Sequence, residues 1–113
     1  MAQIPLNNFE NISEILKSGE NLIYQETEKD LTAIVLSVQI TNVSMSDHFT
    51  SVFIQRSDGR KVYYLYEAIV PPNGALNPLG GNTVIKKGDA LIIETSVDDA
   101  LHANLSVLEN ANE

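Results

Sequence analysis

The chain has 113 residues, no cysteine, no tryptophan and 15 acidic against 7 basic side chains, for a formal charge of −8 with both histidines neutral. Disulfides and thiolate metal sites are excluded, and a charge of −8 repels phosphate backbones, so nucleic acid is not an expected partner. A chain of this size buries about two thirds of its unfolded surface, enough for one hydrophobic core without staples.

The first stretch, Met1 to Gly19, shows little alternation and carries Asn7, Asn8 and Asn11. It reads as an N-terminal arm (1–19) ahead of a β-sandwich domain (20–113). Within the arm, Asn11 to Gly19 has the signals of a short helix. Asn11 or Ser13 would be its N-cap and Gly19 its left-handed stop. Ile12, Ile15 and Leu16 would form its apolar side. Only about two turns fit, so this helix needs a surface on its own domain or on a neighbouring chain.

From Asn21 onward the period changes to two. In Thr32 to Asn42 the even positions Ile34, Leu36, Val38 and Ile40 are all aliphatic, which predicts a long strand with those four on the core face and Val35 opposite them. His48 to Arg56 carries Val52 and Ile54 on one face, with Phe49 and Phe53 on the other. Ser57-Asp58-Gly59-Arg60 is a hairpin signal, and Lys61 to Val70 returns. Alternation within that strand puts Tyr64 and Tyr66 together and Tyr63 on the other face. Pro71-Pro72-Asn73-Gly74 ends it in a tight turn. Short segments at Ala75 to Leu79 and Thr83 to Ile85 follow, separated by Gly80-Gly81. After the turn Lys86-Lys87-Gly88-Asp89 come Ala90 to Val97, where Leu91 and Ile93 share a face, and Leu101 to Glu109, where Leu105 and Val107 do. Asp98-Asp99 makes a hairpin tip between these two. Seven or eight short strands joined by Gly/Pro/Asn/Asp turns predict an all-β antiparallel sandwich, jelly-roll or immunoglobulin-like.

No catalytic set stands out. His48 with Asp47, and His102 with Asp98 and Asp99, would have to meet to hold a metal, but these residues fall in turns or out of phase with the core, so neither a metal nor a cofactor is expected. No serine sits in a Gly-x-Ser-x-Gly elbow, and no glycine run is followed by Lys-Ser/Thr. No apolar run approaches the ~20 residues of a membrane span. Met1 to Glu14 lacks the basic start and apolar stretch of a signal peptide, so a soluble, cytosol-made, non-enzymatic protein is expected.

The informative pattern is apolarity on the second face of the strands: Val35, Ile92, Phe49 and Phe53 all oppose the core set. For a small domain this predicts self-association, as a trimer, with the tyrosines Tyr63, Tyr64 and Tyr66 as further interface candidates. The tyrosine strand also admits a different reading, a module that binds glycans or a cell surface.

Several segments resemble small virion structural proteins of tailed bacteriophages, especially those of marine and cyanobacterial phages. They are Leu22-Ile23-Tyr24, Thr32 to Val43, Ile69-Val70-Pro71-Pro72-Asn73-Gly74-Ala75-Leu76, Leu79-Gly80-Gly81, Lys87-Gly88-Asp89-Ala90-Leu91 and Leu105-Ser106-Val107-Leu108-Glu109. The resemblance implies a β-sandwich that decorates the capsid or attaches at the neck or tail, as a symmetric oligomer without catalysis. It implies contacts with other virion proteins, such as the major capsid or neck and tail proteins, and synthesis in a bacterial host cytoplasm. The stretch 1–19 departs from that group, where a short leader meets the first strand; its asparagines and the anchors Ile12, Ile15 and Leu16 make it the expected attachment or inter-subunit element.

Overall fold

In a computed structural model of the chain, residues 6–25, 31–78 and 83–111 are described. They form nine strands and no helix: β1 (Leu6–Ile15), β2 (Gly19–Gln25), β3 (Leu31–Asn42), β4 (His48–Gln55), β5 (Lys61–Val70), β6 (Ala75–Leu76), β7 (Thr83–Ile85), β8 (Ala90–Thr95) and β9 (Leu101–Ala111). One sheet runs β1-β9-β3-β6, with β7 also on β3; the other runs β2-β8-β4-β5. All pairings are antiparallel. Because β6 and β7 pair with successive parts of β3, they are two halves of one interrupted strand. The Gly80-Gly81 turn expected between them lies outside the described residues. With β6 and β7 taken as one interrupted strand, only the β4–β5 hairpin stays within a sheet; the other connections pass from sheet to sheet. This winding is a jelly roll, which resolves the two sandwich types left open by the strand count. It also means that Asp98-Asp99 is no hairpin tip, since β8 and β9 lie in different sheets.

The expected helix does not form. β1 instead pairs along ten residues with β9, Ile12 opposite Leu105 and Ile15 opposite His102. Ser13 donates to Asn104 Oδ1 at 2.6 Å, and Ser106 donates to Asn11 Oδ1 at 2.9 Å, so the arm's polar residues are spent across strands. Ile12 packs against the core, Leu16 is fully buried and Ile15 is 53% exposed. A two-turn helix is marginal by itself, whereas the strand satisfies its backbone on a partner some ninety positions away.

The core lies between the sheets, with Val38, Ile40, Val52, Ile54, Leu91, Ile93, Leu101, Leu105 and Val107 at its centre. Val35 belongs to it as well, at 0% exposure, against the expectation that it faces outward. The cause is a bulge. Val35 pairs with Val107 but Ser37 with Ser106, leaving Leu36 as the extra residue, so the inward set is Ala33 and Val35 before it and Val38 and Ile40 after it. A β-bulge reverses the phase of alternation, and Leu36 ends half-buried.

Each end of the roll is tied by one buried polar side chain. At the end holding the β3–β4 and β5–β6 connections, Asn42 is fully buried. Its Nδ2 donates to the carbonyls of Ser46 (2.7 Å) and Val70 (2.8 Å), while its Oδ1 accepts from the backbone and hydroxyl of Ser44. Here Pro72 and Asn73 form the middle of a turn closed by Gly74 N–H to the Pro71 carbonyl, with Asn73 at φ +60°. That conformation is the type II turn that a Pro-Asn pair favours. At the opposite end, buried Asp89 accepts from Arg56 Nη1 (2.9 Å) and from the backbone N–H groups of Ser57 and Lys86 (both 3.2 Å). It thereby joins the β4–β5 hairpin to the β7–β8 turn.

Candidate functional site

The outer face of the β2-β8-β4-β5 sheet concentrates the side chains that could recognise a partner. Alternation along β4 and β8 sends Val52, Ile54, Leu91 and Ile93 inward, which leaves Phe53 and Ile92 on the outside. There, with Ala90, they make a second small apolar cluster. Phe53 is nonetheless 0% exposed and Ile92 only 7%, because neighbours on the same face cover them. The Tyr63 ring lies 5.0 Å from Phe53, Tyr66 meets Tyr63 edge-on at 4.9 Å, and Lys61 Nζ stands 5.1 Å over the Phe53 ring before bonding Glu20 at 3.1 Å. That carboxylate holds the Lys61 ammonium pKa above its ordinary value. Leu22, opposite Ile92 on β2, is 58% exposed at the margin of the cluster.

The tyrosines are not arranged as alternation predicts. Tyr63 pairs with Phe53 and Leu65 with Val52, so Tyr64 is an extra residue, and a second shift lies between Leu65 and Ala68. Two bulges in one strand bring Tyr63 and Tyr66 together and turn Leu65 toward the core. Glu67, within the second bulge, has φ +47° and donates its N–H to Ser51 Oγ at 2.8 Å. A positive φ is uncommon for a residue with a side chain and is held here by its surroundings.

Beside that bulge is a depression of about 170 Å³ lined by Phe49, Thr50, Ser51, Glu67, Glu94, Thr95 and Ser96. It is smaller than the roughly 300–1,000 Å³ of small-molecule sites. Its threonines already donate to backbone carbonyls, Thr50 to Glu94 and Thr95 to Phe49, and Ser51 is held by Glu67. The carboxylates of Glu67 and Glu94 are its remaining polar groups of consequence. Neither has an ion-pair partner closer than 4 Å among the described residues.

Of the residues singled out as interface candidates, Phe49 (53%), Tyr63 (40%), Tyr64 (37%), Tyr66 (65%) and Ile15 (53%) are exposed. Leu16, Val35 and Phe53 are fully covered within the chain, Ile92 nearly so, and Ile12 partly. The outer face thus gathers Phe49, Phe53, Tyr63, Tyr66 and Ile92, whereas Ile12, Ile15 and Leu16 stand at the far edge of the other sheet. Sequence reading missed Lys61, Glu67 and Glu94. Lys61 and Glu67 are the two charges of β5 and Glu94 the one charge of β8, and only strand pairing brings Lys61 to Glu20 and Glu67 to the same depression as Glu94. Among the described residues no three of His, Asp and Glu come together to hold a metal.

No protein-family model and no curated protein matches the chain. Solved structures with the same architecture do. A subunit of Bacillus endospore appendages, described as a novel family of disulfide-linked pili, aligns with TM-score 0.60 at 9% identity over 96% of this chain and 89% of its own. A chain of the acid-stable capsid of Helicobacter pylori bacteriophage KHP30 aligns with TM-score 0.55 at 14% identity over 97% and 94%. A chain of the virus-like particle of the extra small virus of the prawn Macrobrachium rosenbergii aligns with TM-score 0.51 at 14% identity over 100% and 83%. At these identities the likeness is one of fold: an antiparallel β-sandwich shared almost end to end with capsid and pilus subunits.

Proposed function

We propose that this chain is a non-enzymatic structural protein of a bacteriophage virion, a jelly-roll module that associates with copies of itself and decorates the capsid. The observation that carries the reading is the strand order. Two sheets wound as β1-β9-β3-β6 and β2-β8-β4-β5 make the jelly roll that recurs in capsid proteins, and it takes in most of the described residues. The capsid chains of the phage and of the prawn virus support it, as does the resemblance of the sequence segments to phage virion proteins. Disulfide-linked assembly of the pilus kind is closed to a chain without cysteine. The glycan reading is weaker, because Tyr63 and Tyr66 meet edge to face, so the two rings do not form one continuous flat platform for a sugar. Neck or tail attachment uses the same module at a different place on the particle.

The test is to add purified protein to phage particles that lack it and to image them. Density over the capsid lattice supports decoration, and density confined to the neck or tail moves the module there. A protein that binds no particle and does not self-associate overturns the reading.

A further inference from the structure

Charge is distributed unevenly along the roll. β8 starts at the end holding the 56–60 and 86–89 turns and finishes at the end holding the 43–47 and 96–100 connections. At the first end Arg56 pairs with Asp89 and Arg60 with Asp58, which leaves Lys86 and Lys87 exposed and without ion-pair partners among the described residues. Toward the second end lie the two carboxylates of the depression, Glu67 and Glu94, likewise without an ion-pair partner within 4 Å among the described residues, although the Lys61 ammonium feels Glu94 at longer range. Exposed Asp47 lies there too, while Asp99 pairs with Lys17 and Asp98 accepts from the Ser18 N–H.

From this we infer that two copies of this chain meet head to tail, the Lys86-Lys87 turn of one seating against the Glu67/Glu94 depression of the next. The inference rests on the self-assembly reading above and names its contact. Three features carry it besides the opposite charges. The lysine turn is rigid: Asp89 fastens it to the neighbouring hairpin, Asp89 N–H closes it on the Lys86 carbonyl at 2.9 Å, and Gly88, at φ +87°, lies so near Ser57 that an added Cβ would stand 2.7 Å from the serine Cβ. The depression is rigid too, through the hydrogen bonds of Thr50, Ser51 and Thr95. Groups held in place before contact lose less freedom on binding. Its size suits one or two inserted side chains, with Phe49 as an apolar wall for a lysine stem. Because the two patches lie at opposite ends of one sheet, the contact is heterologous and generates a closed ring or an open row of subunits.

The test uses the full chain in sedimentation velocity over a concentration series, at low and at high salt, with circular dichroism as the folding control. Lys86→Glu with Lys87→Glu, and separately Glu67→Lys with Glu94→Lys, should each raise the concentration needed for association roughly tenfold or more. An equimolar mixture of these two variants should regain association, and so should the chain carrying all four changes, since each restores opposite charges across the contact. High salt should weaken the wild type. Association of both charge-reversed variants at the wild-type concentration overturns this inference and leaves self-assembly standing. Loss in the glutamate variant alone also overturns it, because the depression then serves a different partner. A wild type that stays a single chain throughout overturns both readings.

Discussion

Replacing Asn42 by alanine removes the polar tie at one end of the roll. Four hydrogen bonds are lost: two donated to the carbonyls of Ser46 and Val70, and two accepted from the backbone and hydroxyl of Ser44. At a net ~0.5–1.5 kcal/mol each, and with the Ser44 and Ser46 groups near enough to solvent to recover water, the cost is about 2–4 kcal/mol. The Val70 bond is the buried one and contributes most. A domain of this size has only about 5–15 kcal/mol in hand, so the change is a large fraction of its stability. Urea unfolding followed by circular dichroism should show the midpoint falling by about 1–2 M for an m-value of ~2 kcal/mol/M. Asn42→Asp keeps the shape and both accepted bonds but sets a carboxylate against two carbonyls. It should be at least as damaging near neutral pH and should recover in acid, where a protonated carboxyl can donate. An alanine variant within 1 kcal/mol of the wild type would show that the loops at this end are held by their backbone bonds instead.

Deleting residues 1–18 should abolish cooperative unfolding, since it strips the ten-residue ladder on β9 and uncovers the site of fully buried Leu16; a truncated chain with a native dichroism spectrum and a sharp transition would refute this. Val35→Asp should unfold the protein, because it places an unpaired charge in the core, while Leu36→Ser at the bulge should cost under about 1.5 kcal/mol; equal losses in thermal melts would mean that the bulge is misplaced. The Arg60 backbone N–H, and less strongly its guanidinium, hold the Asp58 carboxyl below the ordinary aspartate range. With the folded pKa lowered, the stabilisation from this group is present above that range and is lost as pH falls through the lowered value. A carboxyl titration by NMR should show the low midpoint, and Arg60→Ala should keep most of the shift because the principal donor is the backbone.

The all-β class and most of the limits of the strands from β3 onward follow from the sequence alone. Alternation at Val52 and Ile54, at Leu91 and Ile93 and at Leu105 and Val107 is a local signal, and each of these residues is inward. Turn residues are local too, so Asp58-Gly59 and Pro72-Asn73 mark their turns without knowledge of the partners.

What only the tertiary structure decided depends on pairing between distant residues. Residues 11–19 carry the signals of a short helix, but the edge of β9 selected a strand because a ladder satisfies ten residues where a helix of two turns could not stand alone. The bulges at Leu36, at Tyr64 and between Leu65 and Ala68 are properties of a pair of strands, invisible in either one, yet they decide that Val35 is core and that Tyr63 and Tyr66 share a face. The candidate contact has the same origin. Glu67 and Glu94 lie on different strands, and Lys86 and Lys87 face the opposite end only because β8 runs from one end of the sheet to the other. Periodicity reports which side of a strand is apolar, but register and direction are set by long-range hydrogen bonds, and those place the charges.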